Sequence, residues 1–204
     1  MHIAIAGNIG SGKTTLATEL ARHLGYEVHY EDPNTNQYLA DFYNDMQRWA
    51  FNLQVSFLEA RLFQTVSIQR AGIHVVQDRT LYEDAEIFAP NLLAMGLMQQ
   101  RDFDTYKRLY DLVNTLIQPP DLVIYLRASI ARLVDHIASR GREYEDSIRI
   151  DYLKRLNERY DEWFNSYSMG RKLAVNMDDM RPEPDANDIG RVYEQVQREL
   201  FGLF

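Results

Sequence analysis

Short apolar runs alternate with longer segments of helical periodicity along this chain. The apolar runs predict five strands, at 2–6, 27–30, 73–77, 121–126 and 172–176. The intervening segments predict helices, of which the first two end near Gly25 and Gly72, at 14–23, 38–71, 81–95, 102–117, 129–140, 148–168 and 187–201. Alternating strands and helices predict an α/β fold with a five-stranded parallel sheet and helices on both faces.

Polar residues directly follow three of the predicted strands. The Gly-rich stretch 7–15 follows the first strand, Glu31–Asp32 the second and Asp78–Arg79 the third. Ligands of parallel sheets bind beyond the carboxyl ends of the strands. We therefore expect these three segments to gather at one edge of the sheet.

The stretch GNIGSGKTT has the form G-x-x-x-x-G-K-[ST], with a strand before it and a helix after it. Backbone N–H groups and a helix N-terminus in this arrangement attract phosphate oxygens. Lys13 is expected to reach the β- and γ-phosphates of ATP, and Thr14 to place its hydroxyl on Mg²⁺. The alternative is a Gly-rich turn with a surface lysine. The stretch predicts a P-loop NTPase-type fold, with nucleotide-binding residues Gly7, Asn8, Ile9, Gly10, Ser11, Gly12, Lys13, Thr14 and Thr15.

The composition narrows the class of protein further. A chain of 204 residues suits a single domain over 1–204. The net charge of −8 argues against a nucleic-acid partner, and no apolar run is long enough to span a membrane. The absence of cysteine excludes disulfides and thiolate zinc sites, and it fits a cytoplasmic location. A guanine-recognition N-K-x-D motif is missing after the later strands, which argues against a GTPase.

Three polar side chains form one stripe on the predicted helix at 41–64. Tyr43, Gln54 and Arg61 are separated by 11 and 7 residues, close to whole numbers of helical turns, and apolar residues flank them on both sides. Buried amide and guanidinium groups need hydrogen-bond partners. An internal hydrogen-bond network is one explanation. The other is a nucleobase, since a glutamine amide offers a donor and an acceptor side by side.

The segment 78–88 carries further candidate residues. Arg79 follows the third strand, where it could neutralise charge on a transferring phosphoryl group, and the alternative is a surface ion pair. Asp84 is a candidate partner for Arg61. Phe88, one turn further along, could stack on a ring or belong to the core.

A phosphoryl acceptor hydroxyl needs a carboxylate that takes its proton. Glu31 at the end of the second strand is the candidate catalytic base, with Asp32 as the competing one. Arg140 and Arg142 lie between two helices and could form a lid over 139–147, or a solvated helix end. After the fifth strand, Asp178 and Met180 are expected to contact the donor adenine.

These motifs occur in an order that resembles the non-zinc deoxyribonucleoside kinases, the family of deoxycytidine, deoxyguanosine and bacterial deoxyadenosine kinases. The matching motifs are GNIGSGKTT, Glu31, WAFNLQ with Arg61, DRTLYED, IYLRAS and SRGREYE. The resemblance implies phosphoryl transfer from ATP, with Mg²⁺, to the 5′-hydroxyl of a deoxynucleoside. It favours a purine, deoxyadenosine first, although Gln54, Arg61 and Asp84 could be arranged for a purine or for cytosine.

The resemblance also implies roles for individual residues. Glu31 would be the base and Arg79 would lie by the 5′-oxygen. Gln54 would pair with the nucleobase, framed by Arg61 and Asp84 and packed by Phe88. Tyr43 and Glu145 would hold the sugar 3′-hydroxyl. Arg140 and Arg142 would belong to a lid over the donor phosphates. A homodimer through helices is implied as well, and the exposed aromatics expected at Tyr106 and Tyr110 would suit it.

Two positions depart from the family pattern. Asp32 stands between Glu31 and Pro33 where the family often has Glu-Pro, which leaves the identity of the base open. His136 replaces an arginine common four residues before Arg140, and we expect it to be a surface helix residue. Two alternatives stay open: a nucleoside-monophosphate kinase of the thymidylate kinase type, which would need more cations at the acceptor site, and a nucleotide-binding regulator without turnover.

Overall fold

A computed structural model describes residues 1–31, 35–142, 148–181 and 184–202. By its internal contacts the chain divides into two compact units. Unit 1 comprises Met1–Glu31, Gly72–Arg79 and Pro119–Phe204, and unit 2 comprises Asp32–Ala71 and Thr80–Gln118. The single kinase domain over 1–204 stays a prediction.

Unit 1 contains the sheet. Its five strands are β1 (His2–Gly7), β2 (Glu27–His29), β3 (Val75–Asp78), β4 (Leu122–Arg127) and β5 (Arg171–Asn176). They are hydrogen-bonded in the order β2-β3-β1-β4-β5, and every pair is parallel. The predicted α/β class and parallel five-stranded sheet are confirmed. Because β1 lies at the centre, the loop that follows it has a neighbouring strand end on each side.

The helices of unit 1 are α1 (Lys13–Leu24), α7 (Ile130–Arg140), α8 (Ile150–Ser166) and α9 (Ala186–Phe201), with a 3₁₀ turn at Met177–Asp179. They bury an aliphatic core against the sheet, which includes Ile3, Ile5, Leu20, Ile124 and Val192. Gly25 ends α1 in the left-handed conformation, as its position in the sequence predicts.

Unit 2 is helical. Its elements are α2 (Leu39–Asn44), α3 (Met46–Ala71), α4 (Leu81–Glu83), a π-helix (Asp84–Phe88), α5 (Ala89–Ala94) and α6 (Gln100–Asn114). The long helix predicted at 38–71 is interrupted at Asp45, whose backbone leaves the helical region with φ −144°. Thr80 starts the α4 segment with a capping box, in which the Glu83 carboxylate accepts the Thr80 N–H at 2.7 Å.

Two expectations for α6 are wrong. Tyr106 and Tyr110 are 0% and 2% exposed, so they belong to the interior of unit 2. The exposed apolar residues of this region are Leu109, Leu112 and Leu116. The helix has two partly apolar faces, and burying the larger rings removes more apolar area from water.

Within the described ranges, none of the helices combines the length and the apolar character that a bilayer span requires.

Candidate functional site

The phosphate loop of unit 1 connects β1 to α1. Gly12 precedes α1 in the left-handed conformation, with φ 91°, so the chain turns sharply and the first N–H groups of α1 face the loop. The Lys13 ammonium lies against this loop, where it donates to the carbonyl oxygens of Gly7 at 2.8 Å and Asn8 at 3.0 Å. The loop therefore combines a helix N-terminus with a cation, as phosphate binding requires.

Asn8 anchors the loop to α8. Its buried amide donates to the Leu153 carbonyl at 3.0 Å and to Asn157 Oδ1 at 2.7 Å, and its Oδ1 accepts the N–H of Ile9 at 2.8 Å. The Asn157 amide donates in turn to the Ala128 carbonyl at 2.9 Å. These bonds connect the loop after β1 to the end of β4.

Thr14 and Asp78 supply a pair of oxygen donors at the ends of α1 and β3. The Thr14 hydroxyl donates to Asp78 Oδ2 at 2.5 Å, and Asp78 is buried. Mg²⁺ takes oxygen ligands and in nucleotide sites uses one or two protein groups together with phosphates and water. The pair fits that requirement. The part of the chain that the structure describes contains no group of three acidic, histidine or cysteine residues suited to a metal ion.

Glu31 and Arg79 of unit 1 form an ion pair, with Arg79 Nη1 3.2 Å from Glu31 Oε2. The side chains are 11% and 12% exposed. The Arg79 backbone has φ 72°, in the left-handed region that non-glycine residues rarely adopt, and its N–H donates to the Ile5 carbonyl at 2.9 Å. The predicted acid and the predicted cation are thus brought together at the carboxyl ends of the strands.

Of the predicted polar stripe in unit 2, Gln54 and Arg61 lie together on α3, whereas Tyr43 lies on α2, because the helix is interrupted at Asp45. Gln54 is 2% exposed, and among the described residues its Oε1 has no hydrogen-bond partner. Arg61, two turns further along α3, is buried with its Nε 3.5 Å from Asp84 Oδ2. The predicted pairing of Arg61 with Asp84 is therefore observed, and Gln54 presents an acceptor that an amino group could satisfy.

Asp84 and Phe88 are the first and last residues of the π-helix. A π turn inside a helix changes the direction of the side chains that follow, and such turns are frequent at functional sites. Phe88 is buried, and the Phe57 ring lies 5.7 Å from the Arg61 guanidinium carbon. Tyr43 is half-buried and packs edge-on against Phe42.

Tyr106 is a further polar residue of this region, which the sequence analysis assigned to an exposed dimer surface and not to the site. Its hydroxyl is buried and has no hydrogen-bond partner within the described ranges. Burial raises the pKa of Tyr106 well above its usual value, and the negative charge of Asp84 raises it further. The phenol is therefore neutral and retains a proton to donate. The sequence of an amphipathic helix does not indicate which tyrosine will have a buried hydroxyl without a hydrogen-bond partner.

The other predicted nucleotide contacts lie on the later elements of unit 1. Arg140 is the exposed last residue of α7, and Arg142 is half-buried. The Asp178 carboxylate accepts the N–H of Ser129 at 3.0 Å, and the Met180 carbonyl accepts a bond from Arg132 at 2.7 Å. Glu145 and Asp32, together with most of the predicted lid, lie outside the described residues.

His136 does not behave as the surface residue expected from the sequence. It is half-buried, and its Nδ1 lies 2.8 Å from the carbonyl oxygen of Gly10 in the phosphate loop. Asp78 also lies at the site, beside Thr14, although it is not among the site residues predicted from the sequence. Its position next to Arg79 was the available signal.

Known proteins resemble this chain over almost all of its length. The sequence profile of the deoxynucleoside kinases matches residues 3–201. The deoxyadenosine/deoxycytidine kinase of Bacillus subtilis is 36% identical over 196 residues, which cover 95% of this chain and 90% of that enzyme. The deoxyadenosine kinase of Dictyostelium discoideum is 38% identical over 198 residues, or 96% of this chain and 80% of that protein. A solved structure of deoxyadenosine kinase from M. mycoides with bound dATP matches with a TM-score of 0.82 at 31% identity, over 97% of this chain and 100% of that one.

Proposed function

The chain belongs to the deoxynucleoside kinase family and phosphorylates deoxynucleosides, and from this premise we propose that its donor is ATP and its preferred acceptor deoxyadenosine. The observation that supports an acceptor with an amino-substituted base, such as deoxyadenosine, is the buried Gln54 Oε1, which has no hydrogen-bond partner among the described residues. A neutral acceptor atom in a desolvated position favours a ligand that brings an N–H donor.

The phosphate loop supports the proposed role of ATP. Lys13 and the N–H groups at the start of α1 bind the β- and γ-phosphates, and Lys13 exchanges the carbonyls of Gly7 and Asn8 for phosphate oxygens. Thr14 and Asp78 would hold Mg²⁺, which supplies positive charge at the phosphates when it is bound.

In the proposed transfer, Glu31 accepts the proton of the 5′-hydroxyl as the bond from O5′ to the γ-phosphorus forms. The bond from that phosphorus to the bridging oxygen breaks, and ADP leaves with the electron pair. Arg79, whose guanidinium is held against Glu31, neutralises charge on the transferring group. Positioning and charge neutralisation provide most of the acceleration in phosphoryl transfer.

The groups of unit 2 support an amino-substituted base. Gln54 Oε1 and the Asp84 carboxylate are acceptors, which suit the exocyclic amino group of adenine or cytosine. The 6-oxo group of guanine and the 4-oxo group of thymine are acceptors themselves, so they could not form hydrogen bonds with these oxygens. The names of the relatives from B. subtilis and D. discoideum agree with this choice.

A single assay tests the proposal. ADP release is measured with deoxyadenosine, deoxycytidine, deoxyguanosine, thymidine and their 5′-monophosphates as acceptors. Purine 2′-deoxyriboside, which lacks only the 6-amino group, is the matched control, and its kcat/KM should be lower by roughly 10²-fold or more. Equal activity with that control would contradict the role of Gln54, and turnover of monophosphates alone would indicate a nucleoside-monophosphate kinase.

We also propose a homodimer, formed through the outer face of α6. Leu109 and Leu112 are exposed at helical spacing on α6, Leu116 is exposed just beyond the end of the helix, and Leu112 is 61% exposed. An apolar stripe of this kind is typical of an interaction site. Leu112→Glu should yield a monomer in sedimentation velocity, whereas Gln100→Glu, at an exposed position on another side of the same helix, serves as control. A monomeric wild-type chain would contradict the dimer. A cytoplasmic location stays a prediction.

A further inference from the structure

The helix α7 contacts the phosphate loop through His136. The imidazole Nδ1 lies 2.8 Å from the carbonyl oxygen of Gly10, and because a carbonyl only accepts, Nδ1 carries the proton and donates it. The N–H of the same peptide unit, that of Ser11, donates to the Asn8 carbonyl at 3.1 Å. Both ends of the peptide unit between Gly10 and Ser11 are therefore fixed by hydrogen bonds.

Gly10 brings the loop directly against the backbone of α7. A Cβ atom at this position would lie 2.7 Å from the Leu133 carbonyl oxygen and 3.0 Å from Cγ1 of Ile137. The φ of Gly10 is 80°, which also favours glycine. Because Gly10 has no side chain, the backbone of the loop can pack directly against the backbone of α7, and the hydrogen bond from His136 holds it in that position.

Arg132 lies one turn before His136 on α7 and binds a second loop. Its Nη1 donates to the Met180 carbonyl and its Nη2 to the Arg181 carbonyl, each at 2.7 Å. Two bonds from one planar guanidinium fix both position and orientation. This loop follows β5, where the sequence predicts the adenine of the donor nucleotide.

We propose that α7 positions the two halves of the donor-nucleotide site, with His136 holding the phosphate loop and Arg132 holding the loop after β5. The two side chains are separated by one helical turn, about 5–6 Å between Cβ atoms, so a rigid helix sets the spacing between the loops. This inference rests on the proposed binding of ATP by these two loops. His136 and Arg132 are positioning residues, since each acts through the backbone of a loop.

The test for His136 uses the position of its donor atom. His136→Asn retains an N–H donor at the δ position, His136→Gln moves the donor to the ε position, and His136→Ala removes it. We expect the Ala and Gln variants to raise the KM for ATP and the dissociation constant for a non-hydrolysable ATP analogue by roughly three- to tenfold. The Asn variant should stay within about twofold of wild type, and the KM for the nucleoside should not change in any of the three.

The exposed His23 on α1 provides the matched control, because His23→Ala makes the same deletion on a helix of the same unit. Unfolding temperatures without nucleotide separate positioning from loss of fold. An Ala variant that folds normally and binds the ATP analogue like wild type would overturn the proposal, as would an Asn variant that is as weak as Ala. The analogue is measured by calorimetry without an acceptor, so a chain that binds it but phosphorylates no nucleoside would contradict the proposed function alone.

A second set of variants tests Arg132. Arg132→Lys retains the charge but cannot bind both carbonyls at once, and we expect it to reduce the ratio of kcat/KM for ATP over GTP, because the loop after β5 is no longer fixed. Arg22→Lys, at an exposed position of α1, is the control. An unchanged ratio in a folded Arg132→Lys variant would contradict the role of α7 at the adenine.

Discussion

Arg79 and Glu31 form an ion pair, in which Nη1 lies 3.2 Å from Oε2 and both side chains are almost removed from solvent. The ion pair fixes the direction of the Glu31 carboxylate. A carboxylate and a cation held in this way can act on one reacting oxygen, the first as base and the second as a counter-charge.

The variant Glu31→Gln tests whether Glu31 is the catalytic base. The amide keeps the size of the side chain but cannot accept the proton of the acceptor hydroxyl, so we expect kcat to fall by about 10²–10⁴-fold. The affinity for ATP, measured by calorimetry, should stay close to that of wild type, since the phosphate loop is intact. Asp32→Asn is the control for the neighbouring acid. If Asp32→Asn lost activity and Glu31→Gln kept it, the base would be Asp32.

The specificity prediction concerns Gln54→Leu. Replacing a buried amide that has no partner for its oxygen by an apolar group of similar size should leave the unfolding temperature unchanged or raise it. The same change should lower kcat/KM for deoxyadenosine by about 10²-fold or more. Gln47→Leu, at an exposed position of the same helix, is the matched control. A variant that lost stability and activity in parallel would indicate a structural amide.

The stability prediction concerns the buried pair of Arg61 and Asp84. Asp84→Asn leaves the guanidinium buried without this counter-charge, and we expect the free energy of unfolding to fall by about 3–5 kcal/mol. The double variant Arg61→Leu with Asp84→Leu should regain most of that loss without regaining activity. Urea unfolding measures both.

An exposed pair provides the comparison for Asp84. Lys107 and Asp111 lie 2.5 Å apart on the surface of α6, and Asp111→Asn should cost at most about 1 kcal/mol. Equal losses in Asp84→Asn and Asp111→Asn would show that burial of the first pair has no energetic consequence.

The pH prediction concerns the buried tyrosines. Burial raises the pKa of Tyr167 to about 12, and it raises the pKa values of Tyr106, Tyr110 and Tyr125 as well. The unfolded chain releases these protons first, near pH 10, so the free energy of unfolding is unaffected below that pH and falls as the pH rises from about 10 to 12. Absorbance at the phenolate band should show part of the 13 tyrosines ionising only as the chain unfolds. A single titration near pH 10 with native circular dichroism would contradict this.

The sheet and its loops could be predicted because buried parallel strands produce continuous apolar runs. The phosphate loop could be predicted as well, because its glycines and lysine occur at a fixed spacing. The stripe of Gln54 and Arg61 was predictable because helical periodicity places those residues on one face, and Asp84 could be selected as a partner by charge alone.

The remaining features depend on information that local patterns do not contain. The π-helix at Asp84–Phe88 adds a residue to one turn, and no residue type signals it. The inner face of α6 could not be chosen from its sequence, because leucines and tyrosines alternate around the helix. The bond from His136 to Gly10 joins residues 126 positions apart, so it requires the packing of α7 to be known.

The left-handed backbone of Arg79 has a consequence for any attempt to make this enzyme more robust. A residue with a Cβ atom is strained by roughly 1–2 kcal/mol in that conformation, and glycine is not. Selection for thermal tolerance alone should therefore enrich glycine at position 79, and each such clone would lose the guanidinium that faces Glu31. Thermal stability and turnover therefore favour different residues at position 79, and a library screened only for thermal stability would lose kinase activity.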